Sequence, residues 1–225
     1  MEWRSRDLTT TVYGGPSWGS TARPSLGGTL AWSASDQLRL AVAAEQYAWD
    51  TPLRAVLHGI TADSVSASAT WRWSESGELR GAVSYTPFSD GNRRLGVGLD
   101  FDQKVVALPR FDLTAGGEVY ASQNNRPEAP YFNPDGDLTV MARLMAQHVL
   151  WRRYDKALTQ ILTVDAGLYA QAHHASDMIA RVSYEHRWRF DPRLEFHYGV
   201  QLSRQVYDGD VEKTAALKVG LRGRF

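Results

Sequence analysis

The feature that most constrains this chain is its final stretch, where apolar and polar residues alternate strictly over two successive segments. Leu194, Phe196, Tyr198, Val200 and Leu202 alternate with Glu195, His197, Gly199, Gln201 and Ser203. After Tyr207-Asp208-Gly209-Asp210 the alternation resumes, with Leu217, Val219 and Leu221 against Lys218, Gly220 and Arg222, and the sequence ends on Phe225. A period of two puts each set on its own face of a β-strand. Such strands build either a soluble sandwich or the wall of a membrane barrel, and the pattern alone does not choose.

The rest of the sequence favours the barrel. No run of about 18 apolar residues exists, so no helix is long and apolar enough to span a bilayer. The mean hydropathy of −0.38 is too polar for a helical membrane protein but suits barrel strands, which are half polar. With no Cys, disulfides and thiolate metal sites are excluded. The 25 basic and 25 acidic side chains balance, so net charge gives no argument for nucleic acid or anionic lipid. Met1-Glu2-Trp3-Arg4 lacks the apolar core of a signal peptide, so a mature segment of something longer is expected.

Alternating stretches recur along the chain: Leu8-Thr10-Val12, Leu26 to Trp32, Leu38 to Ala44, Val65 to Trp73, Leu79 to Tyr85, Leu95 to Phe101, Phe111 to Val119, Leu138 to Leu150, Leu158 to Ala170 and Met178 to Trp188. With the two terminal segments they predict twelve strands. Their connections alternate in length. Ala34-Ser35-Asp36, Glu75-Ser76-Gly77, Lys104 to Pro109, Arg153 to Lys156 and Asp191-Pro192 read as short turns. Gly14 to Pro24, Trp49 to Asp63, Pro87 to Asn92, Ser122 to Gly136, His173 to Ser176 and Tyr207 to Val211 read as loops, rich in Gly, Pro, Asn and Asp. Thr51 to Ile60 goes into a loop, because a strand there would break this alternation. Trp32, Trp73, Phe101, Phe111, Trp151, Trp188, Phe190 and Phe225 lie beside the short turns, while Tyr13, Trp49, Tyr85, Phe88, Tyr120 and Tyr207 lie near the loops. Two aromatic rings are expected of a barrel with two membrane interfaces. The expectation is all-β: a single domain over residues 1–225, a transmembrane antiparallel up-and-down β-barrel of about 12 strands, with both termini on the periplasmic side of a bacterial outer membrane.

The same parity sends Glu45, Asp100, Asp102, Asp112, Glu118, Asp165, Glu185 and Glu195 inward, with Arg39, Arg72, Arg80, Arg143, Arg181, Arg187 and Lys218. Gly96, Gly98, Gly116, Gly167, Gly199 and Gly220 also face inward and keep the wall thin or tightly curved. A polar interior suits a hydrated lumen and not a dry core. Charges that pair across strands and simply fill the barrel are the plainer account of any one of them. Catalytic patterns are weak: His173 and His174 near Asp177 suggest an Asp-His pair like those of outer-membrane proteases, but adjacent His in a loop are more often solvated and no Ser sits in a persuasive nucleophile context. Asp135-Gly136-Asp137 and Asp208-Gly209-Asp210 carry turn chemistry without the remaining ligands of a calcium loop. No enzyme, cofactor or metal site is expected.

Several strings are more specific than generic turns. Thr51-Pro52-Leu53-Arg54 is followed by Gly59-Ile60-Thr61-Ala62-Asp63, then Ser89-Asp90-Gly91-Asn92-Arg93-Arg94 and Pro130-Tyr131-Phe132-Asn133-Pro134. Later come Trp151-Arg152-Arg153-Tyr154, Tyr184-Glu185-His186-Arg187-Trp188, and Tyr207-Asp208-Gly209-Asp210 with Glu212. In this order the chain resembles the barrel of the poly-β-1,6-N-acetylglucosamine export porin family (PgaA-type), from about Thr51 to Phe225. The resemblance implies an outer-membrane pore for a partly deacetylated, hence partly cationic, exopolysaccharide, and casts the inward carboxylates as its path. It implies that Phe225 is the terminal aromatic read by the outer-membrane insertion machinery. The expected partners are that machinery, outer-membrane lipids and the exopolysaccharide chain, with the protein a monomer and no nucleic acid bound. The family's barrel is larger than twelve strands and follows a periplasmic helical-repeat domain. The alternative is a structural barrel, shortened or engineered, that conducts ions without specific cargo. An outer-membrane hydrolase is a more distant third.

Overall fold

The computed structural model describes residues 2–4, 7–17, 23–48, 51–126 and 129–223. Thirteen strands follow one another in chain order, each hydrogen-bonded to the next. They are β1 (Glu2–Arg4), β2 (Leu8–Ser17), β3 (Arg23–Ser33), β4 (Leu38–Gln46), β5 (Ser64–Ser74), β6 (Gly77–Pro87), β7 (Arg93–Leu108), β8 (Phe111–Asn124), β9 (Gly136–Arg153), β10 (Lys156–Gln171), β11 (Asp177–Arg189), β12 (Leu194–Tyr207) and β13 (Asp210–Gly223). Twelve of these are long and match the expected number; β1 is a three-residue addition paired with β2. One short helix, α1 (Leu53–Leu57), occupies the loop after β4, so Thr51 to Ile60 holds no strand.

Three expectations about connections need correction. Gly14 to Pro24 is largely strand: Gly14 pairs with Leu26 and Gly15 with Ser25 in the β2–β3 ladder, because backbone pairing there tolerates glycine. Lys104 to Leu108 extends β7, with Val105 exposed in step with Leu95, Val97, Leu99 and Phe101, and Pro109 ends it. Phe101 therefore lies mid-strand, away from the turn. Tyr207 to Val211 is a tight hairpin in which Tyr207 faces Asp210. Asp208 (φ 52°) and Gly209 (φ 83°) both adopt left-handed backbone, which the two-residue primed turn demands and Asp-Gly supplies.

The chain divides into two compact units. The first comprises Met1–Asp100, Val119–Leu138 and Ala170–His174; the second comprises Phe101–Glu118, Thr139–Tyr169 and Ala175–Phe225. In each, side-chain burial is the inverse of that in a water-soluble protein. In the first unit Val97 and Leu99 are exposed, while Gly96 between Leu95 and Val97 is buried. In the second, Leu144, Val164, Val182 and Val219 are exposed, while Asp165 and Tyr169 are buried. Among the described residues the largest fully buried side chain is Asn92, a polar one. Large apolar side chains turned outward and polar ones turned inward are stable only where the solvent is hydrocarbon. On the inward face a Cβ added at Gly167 would fall on the Val140 carbonyl oxygen. Only glycine lets β9 and β10 approach this closely. The aromatic expectations hold in part: Trp32, Trp73 and Phe190 are exposed on the outward parity near short turns and Tyr85 near the opposite strand ends. Trp151, Tyr13, Tyr120 and Tyr207 instead have the inward parity, with Tyr13 beside Gly27 and Tyr120 beside Gly96 and Gly98. Phe88 is buried in a loop core and is no girdle residue. Trp49 and Phe225 lie outside the described residues.

Candidate functional site

The polar strand faces carry arginine-centred ion pairs. In the first unit Arg80 joins β6 to β7, with Nε 2.8 Å from Glu78 and Nη2 3.2 Å from Asp100. Arg72 donates from Nε to the other oxygen of Glu78. In the second unit Arg143 on β9 donates Nε to Asp165 (2.8 Å) on β10 and Nη2 to Glu118 (3.0 Å) on β8, and its Nη1 lies 3.7 Å from Asp102 on β7. Arg181 on β11 donates Nε to the second oxygen of Asp165 at 3.1 Å. Arg187 meets Glu185 at 2.8 Å and Glu195 at 3.6 Å, and Lys104 donates to Asp112 at 3.1 Å.

Seven of the expected carboxylates are thus ion-paired: Asp100, Asp102, Asp112, Glu118, Asp165, Glu185 and Glu195. Glu45 sits on β4 opposite Gly27 and Ser64. Sequence reading missed Glu78, although its parity and its place opposite Arg72 in the β5–β6 ladder were signals for it. The pairing is not balanced everywhere. Among the ion pairs of the described residues, Arg143 and Arg181 are shared by Asp102, Glu118 and Asp165, and Arg187 by Glu185 and Glu195, so in these pairs carboxylates outnumber guanidinium groups.

The loop strings converge in the first unit. Asn92, fully buried, donates Nδ2 to Asn133 (2.7 Å), Tyr131 (3.1 Å) and Asn124 (3.2 Å). Asp90 accepts the Asn92 backbone N–H at 3.0 Å and the Tyr131 hydroxyl at 3.3 Å. The Arg93 N–H reaches Asn125 at 2.7 Å, and the Pro134 carbonyl accepts from Asn124 at 2.7 Å. Asn133 donates to the Arg126 carbonyl. Tyr131 stacks on Phe88 with centroids 5.2 Å apart, and Ala55 of α1 and Ala62 complete a small apolar core. Burial pushes the Tyr131 phenol above its ordinary range. Pro52 sits at the N-terminal cap position of α1, and Thr51 bonds the Ala48 carbonyl. Arg54 is exposed on the helix. Asp208 and Asp210 are not part of this core; they make the β12–β13 turn in the other unit.

This core is a device for fixing loops. Asn92→Ala would take the buried donor from Asn133 Oδ1, costing about 1–3 kcal/mol, while Asn124 keeps Arg94 and the Tyr131 hydroxyl keeps Asp90. Faster amide exchange and easier proteolysis across 125–135 are expected, with strand amides unaffected. Unchanged protection there would refute the role.

No catalytic arrangement forms among the described residues. His173 pairs with Asp135 at 3.1 Å and is largely exposed, while Asp177 is held by Arg204 at 2.8 Å, so the expected Asp177 pair is replaced by a loop-to-loop link. Asp137 accepts from the Ser122 N–H at 3.0 Å. No group of three or more His, Cys, Asp or Glu is placed to hold a metal among the described residues.

Comparison with known proteins fits these observations. The model of the PgaA membrane beta barrel domain matches residues 1–225. The poly-beta-1,6-N-acetyl-D-glucosamine export proteins of Escherichia coli K12 and of Escherichia coli O157:H7 are each 25% identical over 226 residues, covering 100% of this chain and 28% of theirs. A solved structure described as a bacterial polysaccharide outer membrane secretin matches with a TM-score of 0.94 at 25% identity, covering 100% of this chain and 78% of that one. The chain therefore spans 28% of the length of the curated relatives it matches.

Proposed function

This chain belongs to the PgaA membrane β-barrel family, and from that premise we propose that it forms a pore through which partly deacetylated poly-β-1,6-N-acetylglucosamine leaves the cell. Its fold is an antiparallel up-and-down β-barrel, and its place is the bacterial outer membrane. In this reading the chain is one barrel domain and a monomer, its short turns face the periplasm, and the outer-membrane insertion machinery assembles it. The paired polar faces line the lumen, and no chemistry is performed on the cargo.

The observation that carries the proposal is the carboxylate excess at Arg143–Arg181 and at Arg187. A lumen with every charge matched would hold hydroxyl and acetamido groups by hydrogen bonds but be indifferent to a free amine. Surplus carboxylates add attraction without creating a deep trap. An ammonium about 4 Å from a carboxylate gains on the order of 1 kcal/mol in a water-like medium, and more where the dielectric is lower. The arginine pairing equally suits the second reading, a structural barrel that conducts ions without specific cargo.

Single-channel recording separates the two. The pore is expected to be mildly cation-selective and to show transient blocks by glucosamine oligomers that weaken with salt as screening shortens the attraction. Asp102→Asn with Glu118→Gln removes two of the three carboxylates named around Arg143 and Arg181 and keeps Asp165, shifting the local balance from negative toward positive charge. Glucosamine blocks should then shorten about tenfold, the effect of about 1.4 kcal/mol, while any with fully acetylated oligomers stay as they were. A variant that selects and blocks like the parent would leave the ion-conducting reading standing instead.

A further inference from the structure

The outward face of the second unit carries a continuous polar chain amid its apolar side chains. Gln160 on β10 donates Nε2 to His148 Nδ1 on β9 at 3.2 Å, and Tyr184 on β11 donates its hydroxyl to Gln160 Oε1 at 2.9 Å. His186 Nε2 lies 2.9 Å from the Tyr184 oxygen, and His186 Nδ1 lies 2.9 Å from the Tyr198 hydroxyl on β12. The five side chains share parity with Leu144, Leu162, Val164, Val182 and Val200, all exposed. Polar groups facing hydrocarbon are costly unless satisfied. Four hydrogen bonds across four adjacent strands satisfy the middle of the chain.

The bonds also fix its direction. The proton assignment that lets all four bonds form together has Gln160 Nε2 donating to His148 Nδ1, which puts the His148 proton on Nε2, and His186 accepting from Tyr198 at Nδ1 and donating from Nε2 to Tyr184. Every donor therefore points toward His148, and the end left over is the His148 Nε2–H. That free donor stands on the β9–β10 hairpin. At the tip of the same hairpin, on the same parity, stand the exposed cations Arg152 and Lys156, with Asp155 between them in the turn. The Asp155 carbonyl is engaged by Arg189 at 3.1 Å. Two cations at a strand end, with a hydrogen-bond donor deeper along the same face, match an anionic headgroup whose ester oxygens lie deeper in the bilayer.

We propose that the outward face of the β9–β10 hairpin, with Arg152 and Lys156 at its tip and the His148–Gln160–Tyr184–His186–Tyr198 chain deeper in, binds an anionic glycerophospholipid of the leaflet at the short-turn end. The phosphate is held by Arg152 and Lys156, and an ester carbonyl accepts from His148 Nε2–H. Assigning that leaflet to the periplasmic side rests on the orientation proposed above, but binding measured in detergent does not.

The test is lipid retention by the purified full chain in detergent micelles, read by native mass spectrometry with phosphatidylglycerol and phosphatidylcholine as probes. Phosphatidylglycerol should be retained at least tenfold better than phosphatidylcholine. Cations near a membrane surface attract an anionic lipid, so Arg152→Gln with Lys156→Gln should remove most of that preference, by about tenfold or more. His148→Phe with Gln160→Leu should weaken retention of both lipids while keeping the headgroup preference. Arg93→Gln with Lys213→Gln, at the opposite strand ends, should change neither. Heat-modifiable gel mobility confirms that each variant is folded. The proposal is overturned by equal retention of both lipids by the parent, by an equal loss in the Arg93 and Lys213 variant, or by delipidated parent chains dimerising through this face.

Discussion

Val97→Arg is expected to lose roughly 2–4 kcal/mol of stability in a bilayer, while Gly98→Arg loses far less, although the two positions are adjacent. Val97 is half exposed in a row with Leu95 and Leu99, so a guanidinium there meets hydrocarbon on the loop side of mid-strand Phe101. Gly98 points the other way, where a Cβ would stand 3.6 Å from a ring carbon of Tyr120, an ordinary contact, beside the polar groups of the inner face. Ser84 on β6 shares that inward parity. Urea titration of the chain folded into lipid vesicles, followed by tryptophan fluorescence, measures the difference. Equal sensitivity at Val97 and Ser84 would reverse the facing assignment and with it the proposed lumen.

That assignment was legible in the sequence because parity is local: each strand declares its two faces without knowing its neighbours. The strand ends were less legible. Lys104 reads as turn chemistry, yet its ammonium bonds Asp112 across the β7–β8 hairpin and keeps the ladder going to Leu108. Gly14, Gly15 and Pro16 read as a loop, yet their backbone pairs with 24–26. The loop core was visible only as unusual strings. Asn92 finds its partners 32 to 41 residues away, a distance over which no periodicity speaks. Phe88 was assigned to the interface because an aromatic near a strand end normally belongs there; stacking on Tyr131 takes it inside instead. The inward carboxylates were found by parity, but their pairing was not. Arg143 reaches Glu118 and Asp165 at separations of 25 and 22 residues, and whether a long side chain bends toward one strand or another is a matter of register and rotamer.

The ion-paired carboxylates are not equivalent, and the buried one should dominate stability. Asp165 is 3% exposed and has both oxygens engaged, Oδ1 by Arg143 at 2.8 Å and Oδ2 by Arg181 at 3.1 Å. Asp165→Asn replaces one acceptor by a donor facing a guanidinium and leaves Arg181 without its described carboxylate partner. Breaking a buried pair from one side costs about 3–5 kcal/mol. The guanidinium groups here are 20% and 36% exposed on their side chains, so water relieves part of the loss and about 2–4 kcal/mol is expected. Glu118→Gln, at a more exposed position, should cost well under half as much, since Arg143 keeps Asp165. A double-mutant cycle isolates the pair: Arg181→Gln added to Asp165→Asn should recover at least 1 kcal/mol relative to additivity, because the second change removes the charge that the first left stranded. Additive losses would mean that Asp165 acts through packing alone, and the Arg143–Arg181 group would then be no more than a set of neighbours on the inner wall.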